Sequence, residues 1–186
     1  MHNTIIRKSF LGSNTPNGFV GFFDKLVDNY PLEKVYILKG GSGVGKSTFI
    51  KKFTKSIIEN HPKTSFTIDY FMCSADPDSY DGVIIHELGL AIIDGTSPHI
   101  VDPKFPGLVE EIIDLAKFLD TKKINITKQE LATKMQKRRE HFDRAFAELN
   151  AARTLHLDVE NIFSNAMNFD GVNQLLETLI KKHTLL

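Results

Sequence analysis

The most informative part of this chain is the stretch VYILKGGSGVGKSTFI, residues 35–50. A run of apolar residues ends at two glycines, and further on a lysine is followed by two hydroxyl residues. Residues 40–47 match the pattern G-x-x-x-x-G-K-[ST], with a buried strand predicted before the match and an amphipathic helix predicted after it. This strand–loop–helix order is the context in which the pattern cradles phosphate groups, so we predict a phosphate-binding loop here.

The chemistry predicted for this loop depends on its backbone. Glycines let the chain wrap around a phosphate with several N–H groups directed inward, and the next helix adds its positive dipole end. We expect Lys46 to reach the β- and γ-phosphates and Ser47 to offer its hydroxyl to Mg²⁺. The predicted nucleotide-binding residues are Gly40, Gly41, Ser42, Gly43, Val44, Gly45, Lys46, Ser47 and Thr48.

Strand and helix signals alternate over the first half of the chain. Residues 35–39, 65–73 and 88–94 have the apolar composition of buried strands, and residues 46–59 carry apolar side chains at helical spacing. This order is typical of an α/β protein with a parallel sheet. With the glycine-rich motif, it predicts an α/β, P-loop NTPase-type three-layer fold with a mainly parallel sheet and a helical C-terminal extension.

Further helices are predicted from apolar spacing and capping signals. We predict one helix over residues 18–30, a second over 107–120, and a long third helix whose capping box is Thr127 with Glu130. A last helix is predicted to be capped by Asp170. The apolar stripes of the last two helices are expected to pack in the core.

A single domain accommodates all these elements. We predict one P-loop NTPase domain over residues 1–186, with a nucleotide-binding α/β core over about 1–106 and a helical extension over about 107–186.

A metal-side carboxylate is predicted on a neighbouring strand. The segment LAIID ends in Asp94, which emerges where ligands of parallel sheets bind, at the carboxyl end of the strand. Nucleotide sites of this kind need such a carboxylate to hold the water shell of Mg²⁺. We therefore predict Ser47 and Asp94 as the metal residues, with capping of the turn at Gly95 as the alternative role of Asp94.

Candidates for orienting a nucleophile lie in two loops near the predicted site. Asp76, Asp78 and Asp81 follow the strand over residues 65–73, where a carboxylate could orient water or accept a proton, although turn formation explains the same residues. His99 follows Asp94 by five residues and could bond the γ-phosphate or be an ordinary loop residue. The predicted catalytic set is Lys46, Asp78, Asp94 and His99.

The overall composition limits the classes of partner. The chain has 23 basic and 23 acidic residues, so its net charge gives no indication of a nucleic-acid or anionic-membrane partner. Cys73 is the single cysteine, which excludes an internal disulfide and fits a cytoplasmic location. We expect no signal peptide and no membrane insertion. No N/T-K-x-D stretch suitable for reading guanine is present, which favours ATP over GTP.

The chain resembles a family of bacterial P-loop ATPases of unassigned physiological role that carry two P-loop units in tandem. The resemblance rests on TPNGFVGFFDKL, KVYILKGGSGVGKST, CSADPDSYDGVII and LGLAIIDGTSPHIVDPKFPG, of which the last is the most particular. It implies ATP binding at residues 40–48 and a metal-side Asp94, and it adds support for Asp76, Asp78, Asp81 and His99. Because one P-loop is present, the chain corresponds to the first unit, and a second unit or a homo-oligomer is the expected partner.

The expected function is Mg²⁺-dependent ATP binding and hydrolysis, coupled to an unknown partner or substrate. Hydrolysis should be slow if an arginine must be supplied in trans, since such a group accelerates the reaction about 10³–10⁵-fold. One alternative is a small-molecule or nucleotide kinase, in which the acidic loop over residues 76–81 holds an acceptor hydroxyl. Another is an ATP-gated protein-binding switch without useful turnover.

Overall fold

The computed structural model describes residues 4–184, so the outermost residues of the predicted 1–186 domain lie outside the described range. The strands of the described residues are β1 (Ile5–Ser9), β2 (Gly12–Thr15), β3 (Gly18–Gly21), β4 (Lys34–Lys39), β5 (Thr67–Met72), β6 (Tyr80–Ile85), β7 (Leu90–Asp94) and β8 (Glu110–Asp114). A six-stranded sheet forms the centre of the molecule, in the order β1-β5-β6-β7-β4-β8. Strands β2 and β3 form a separate antiparallel hairpin.

The sheet is mostly parallel, as its sequence predicted. Five of its strands run in one direction, and β6 runs antiparallel to both of its neighbours. The strands predicted over residues 35–39, 65–73 and 88–94 are confirmed as β4, β5 and β7. The carboxyl ends of these three strands therefore meet at one edge of the sheet, together with the amino end of β6.

Each face of the sheet is covered by different elements. The short helix α1 (Leu26–Asn29) lies on one face, and the 15-residue helix α2 (Lys46–Asn60) lies on the other. Along β4, Ile37 contributes to the core on the α1 side and Leu38 to the core on the α2 side. Because successive side chains of a strand point to opposite faces, a central strand covered on both sides must be apolar throughout.

The prediction of a helix over residues 107–120 is wrong, because Glu110–Asp114 form β8 and pair in parallel with β4. The sheet thus continues beyond residue 106, and the helical extension begins later than the predicted boundary at about residue 107. Glu110 stabilises the turn before β8, since its buried carboxylate accepts hydrogen bonds from the backbone N–H groups of Lys104 and Phe105. Pairing with β4 satisfies backbone groups that local helix formation would have left exposed on the edge of that strand.

The helix predicted over residues 18–30 is also wrong over most of its length. Its first residues form β3, and only Leu26–Asn29 form an α-helix, after a 3₁₀ turn at Phe23–Lys25. The hairpin turn explains the difference. Gly18 adopts φ 94°, and the Thr15 hydroxyl bridges the turn by donating to Gly18 O and accepting from Asn17 N–H. Glycine reaches this left-handed conformation without the steric cost of a β carbon.

Two helices follow the sheet, α3 (Lys128–Ala166) and α4 (Phe169–Thr184). The capping box of Thr127 and Glu130 is confirmed at the start of α3. Asp170 lies inside the first turn of α4. The side chain that caps this turn is Asn168, whose Oδ1 accepts a hydrogen bond from the backbone N–H of Gly171. The prediction that both apolar stripes pack in the core is wrong, since neither helix has a buried residue. Helical spacing reveals an apolar face but does not say what covers it.

Candidate functional site

The predicted phosphate-binding residues form a loop between β4, which ends at Lys39, and α2, which begins at Lys46. In this glycine loop, residues 40–45, Gly43 and Gly45 have φ angles of 86° and 91°. A β carbon added to either would meet no atom within 4 Å, so the space around them is open. Glycine is favoured there by backbone conformation, because other residues rarely adopt such angles. The loop therefore has the left-handed turns and the open space that a backbone anion cradle requires.

Lys46 turns back over the glycine loop. Its Nζ donates to Gly40 O at 2.6 Å and to Gly41 O at 3.0 Å, and it lies 3.5 Å from Oδ2 of Asp94. The Lys46 and Asp94 side chains are only 11% and 13% exposed. The ammonium group is thus held at the loop by two carbonyls and one carboxylate. A bound phosphate could replace the carbonyl contacts with charge-assisted hydrogen bonds.

Asp94 lies at the carboxyl end of β7, opposite Leu38 of the neighbouring β4. Its Oδ1 accepts a hydrogen bond from Thr96 N–H at 2.8 Å, which is also a turn-capping contact. The Thr96 hydroxyl donates to Gly40 O at 3.0 Å. Thr96 therefore connects the predicted metal-side carboxylate to the first residue of the glycine loop.

Lys39 supports the same region from the end of β4. Its Nζ donates to the carbonyl oxygens of Gly95 and Val101, at 2.7 and 3.0 Å. These contacts hold both ends of the 95–101 loop beside the glycine loop. Sequence reasoning missed Lys39, and a lysine directly after a buried apolar run was the one available signal.

Ser47 lies in the first turn of α2 and contacts β6. Its Oγ accepts a hydrogen bond from Tyr80 N–H at 2.9 Å, which leaves a lone pair and the hydroxyl hydrogen for other partners. Thr48, the next residue, is exposed. Ser47 and Asp94 offer oxygen donors of the kind that Mg²⁺ prefers. Within residues 4–184, no group of three or more His, Cys, Asp or Glu side chains is placed to hold a metal ion.

The acidic loop after β5 has the geometry of a turn. Oδ1 of Asp76 accepts from Asp78 N–H at 3.2 Å, and Asp78 O accepts from Nζ of Lys51 at 2.7 Å. Within the described range, the Asp78 carboxylate itself makes no hydrogen bond or ion pair. These contacts of Asp76 and Asp78 fit the alternative that both residues form a turn. The catalytic role of Asp78 stays a prediction.

Asp81 and His99 form a buried ion pair. Oδ2 of Asp81 lies 3.0 Å from Nε2 of His99, and the two side chains are 9% and 6% exposed. The His99 ring packs between Phe19 of β3 and Phe23, with centroid distances of 4.8 and 4.6 Å. Asp81 and His99, which the sequence suggested as separate candidates for the site, therefore contact each other. The contact of the His99 ring with Phe19 also links the β2–β3 hairpin to the 95–101 loop.

The environment of His99 favours its charged form. Burial by itself lowers the pKa of His99, but the hydrogen bond with Asp81, the nearby Cys73 thiol and the Asp81 and Asp94 carboxylates raise that pKa to about 9. The Cys73 thiol makes no geometrically defined hydrogen bond with Nδ1, which has no partner among the described residues. The raised pKa and the Asp81 carboxylate beside Nε2 favour the charged ring at neutral pH, and its negative neighbours are Asp81 and Asp94.

Comparison of the chain with protein-family models, with curated proteins and with solved structures gave no match. The family resemblance therefore stays a prediction. No helix among residues 4–184 is long and apolar enough to cross a membrane.

Proposed function

We propose that this chain binds a nucleoside triphosphate, ATP rather than GTP, at the glycine loop and hydrolyses it slowly with Mg²⁺. In this proposal the fold is of the P-loop NTPase type, and the chain is the first unit of the tandem family that it resembles. The observation that carries the proposal is the position of Lys46. Its ammonium group lies across an open loop with left-handed glycines, 3.5 Å from a carboxylate on the adjacent strand.

Each residue has a distinct role in this proposal. The backbone N–H groups of the glycine loop and the N-terminus of α2 hold the β-phosphate. Lys46 exchanges its bonds to Gly40 O and Gly41 O for bonds to phosphate oxygens. Ser47 and Asp94 hold Mg²⁺, which when bound neutralises charge on the β- and γ-phosphates. Thr96 holds the Asp94 carboxylate beside the glycine loop, because it donates hydrogen bonds to both Asp94 and Gly40 O.

Slow turnover is expected because no arginine among the described residues contacts this site. Within residues 4–184, no guanidinium group makes a hydrogen bond or ion pair with the glycine loop, Lys46, Ser47 or Asp94. Stabilising the charge of the transferring phosphoryl group with an arginine accelerates hydrolysis about 10³–10⁵-fold. Basal phosphate release should therefore be low and should rise when a partner supplies that charge.

The replacement Asp94→Asn tests the metal role. We expect wild-type protein to bind ATP more tightly with Mg²⁺ than without it, and to release phosphate slowly. Asp94→Asn should reduce phosphate release by at least about 100-fold, because removing one charged contact to the metal site weakens transition-state stabilisation by about 3 kcal/mol. The measurement is an ATP titration with and without Mg²⁺, followed by a phosphate-release assay.

A matched control for this experiment is Asp120→Asn. Asp120 is a carboxylate that caps a 3₁₀ turn through Lys122 N–H, as Asp94 caps through Thr96 N–H, but it follows the sheet and precedes α3. Its replacement should leave ATP binding and phosphate release unchanged. Mg²⁺-dependent phosphate release that survives Asp94→Asn at the wild-type rate would contradict the metal assignment.

The ATP-gated switch is the second candidate, favoured by one continuous set of contacts. Thr96 joins the glycine loop to the 95–101 loop, and His99 joins that loop to Phe19 of the β2–β3 hairpin. Helix α3 in turn contacts β2. A protein that binds ATP tightly and changes its proteolysis pattern, yet releases no phosphate with any addition, would fit the switch and not the ATPase. The kinase alternative receives less support, since Oδ1 of Asp76 is used in a turn and the Asp81 carboxylate is buried against His99.

A further inference from the structure

A short turn beside the glycine loop exposes an aromatic side chain. The 3₁₀ turn Leu115–Phe118 follows β8 directly, and Oδ1 of Asp114 caps it by accepting a hydrogen bond from Ala116 N–H at 2.8 Å. Phe118 is 76% exposed and belongs to neither of the two cores that cover the sheet. Exposure of one aromatic residue is ordinary, so the position of this ring decides what it can do.

The Leu115–Phe118 turn lies against the glycine loop. Strands β4 and β8 end level with each other, because Lys39 pairs with Asp114. A β carbon added to Gly40 would lie 3.5 Å from Ala116 N, so the first residue of the glycine loop is next to the turn. The carboxyl end of β8 therefore meets the loop that is proposed to hold the phosphates.

The order of the strands gives the direction in which a bound nucleotide would extend. Strand β4 lies between β7 and β8 in the sheet. Asp94, at the end of β7, and Lys46 mark the end of the site proposed for Mg²⁺ and the γ-phosphate. A triphosphate chain that starts there and follows the glycine loop across the end of β4 carries its nucleoside toward the end of β8. The Phe118 ring lies on that side.

A second aromatic ring near the site, that of Tyr80, lies on the opposite side. The backbone N–H of Tyr80 donates to Oγ of Ser47, and its strand β6 lies beyond β7 in the sheet. Its ring is stacked on Tyr70, with centroids 4.4 Å apart, and Nζ of Lys51 lies 5.0 Å from its centroid. Tyr80 is therefore at the metal end of the site and already has neighbours on its ring.

We propose that the Phe118 ring is the platform on which the base of the nucleoside triphosphate stacks. Nζ of Lys117 lies 5.1 Å from the ring centroid, and one cation covers at most one face, so the exposed ring keeps a face for a planar base. Stacking does not identify the base, because every base has a π face. Phe118 therefore adds affinity for the nucleoside and leaves the choice of base to other groups. This inference rests on the proposed function.

The first test compares ATP with inorganic tripolyphosphate, which has no base. In isothermal titration with Mg²⁺, Phe118→Ala should weaken ATP binding about tenfold, since loss of one base–aromatic stacking contact has an effect of that order. Tripolyphosphate should bind the variant and the wild type equally. Phe105→Ala is the matched control, because Phe105 is also 50% exposed but lies before β8 rather than after it. It should change the affinity for neither ligand.

A tryptophan in place of Phe118 reports stacking directly. The chain contains no tryptophan, so Phe118→Trp introduces a single indole, whose fluorescence a stacked base quenches. ATP should quench the emission of this variant, and tripolyphosphate should leave it unchanged. Phe105→Trp should respond to neither ligand. Because the Phe118 ring is largely exposed, its replacement should leave the melting temperature without nucleotide close to that of wild type.

The outcomes separate this inference from the proposed function. The platform is wrong, and the phosphate site stands, if Phe118→Ala binds ATP like wild type while Lys46→Ala does not. Equal losses of ATP and tripolyphosphate binding in Phe118→Ala, or equal quenching of Phe118→Trp by both ligands, would also overturn the platform. If wild type binds neither ATP nor tripolyphosphate, the proposed function fails and this inference fails with it.

Discussion

Lys46→Ala should weaken ATP binding by at least about 100-fold. The Nζ of Lys46 makes two hydrogen bonds to the glycine loop that phosphate oxygens can replace, and no other lysine or arginine makes such a contact in the described range. Losing charge-assisted hydrogen bonds to phosphate costs about 3 kcal/mol, which corresponds to about two orders of magnitude in the dissociation constant. Isothermal titration of ATP with Mg²⁺ into wild type and variant gives the difference directly.

Lys55→Ala is the matched control for this experiment. Lys55 is on the same helix but forms only an exposed ion pair with Glu59, 3.6 Å away, and such pairs contribute little to stability. ATP affinity should be unchanged in this variant. Because Lys46→Ala also leaves Asp94 without its cation, the melting temperature of each protein should be measured without nucleotide. Unaltered ATP affinity in a folded Lys46→Ala protein would refute the phosphate role of the loop.

The stability of the protein should fall as the pH rises from about 6.5 to about 9, because of His99. The ordinary pKa of a histidine is 6.5, and the Asp81 hydrogen bond and nearby carboxylates, working against burial, raise the folded-state pKa of His99 to about 9. A raised folded-state pKa gives stability that is fully present below the unfolded value. That stability is lost as the pH passes through the folded value. The difference between the two pKa values of His99 corresponds to about 3 kcal/mol of unfolding free energy.

His99→Gln separates this contribution from other titrations. Glutamine is uncharged throughout, so the part of the unfolding free energy that declines from pH 6.5 to 9 should disappear in the variant. His61→Gln, at the exposed end of α2, should keep the wild-type profile. Urea unfolding at several pH values measures both. If His99→Gln shows the same decline as wild type, the buried imidazolium at Asp81 does not account for it.

Local sequence was sufficient for the parts of the site that depend on backbone chemistry. The glycine loop needs left-handed angles between a strand and a helix N-terminus, and only a few residue patterns provide them, so residues 40–47 could be located without a structure. Asp94 was also placed correctly at the end of β7, because an apolar run with one terminal carboxylate indicates both the strand and its carboxyl end.

Contacts between distant segments required the tertiary structure. The pairing of Asp81 with His99 joins β6 to the 95–101 loop, and no spacing in the sequence reports that two such residues meet. Residues 110–114 carry an apolar spacing that suits a helix, yet they form β8, since only the folded sheet offers the free edge of β4. Backbone pairing across the chain overrode a weak local preference.

The C-terminal helices also combine features that local sequence predicts with a feature that only the folded structure shows. Local sequence is enough to predict that α3 and α4 are helices with apolar faces, because a 3.6-residue period and a capping box are local properties. That the apolar face of α4 is left uncovered within the described chain, at Leu176 and its neighbours, is visible only in the folded molecule. The physical reason is that periodicity shows which side of a helix avoids water, while the surface that excludes the water belongs to a packing partner that the helix sequence does not encode.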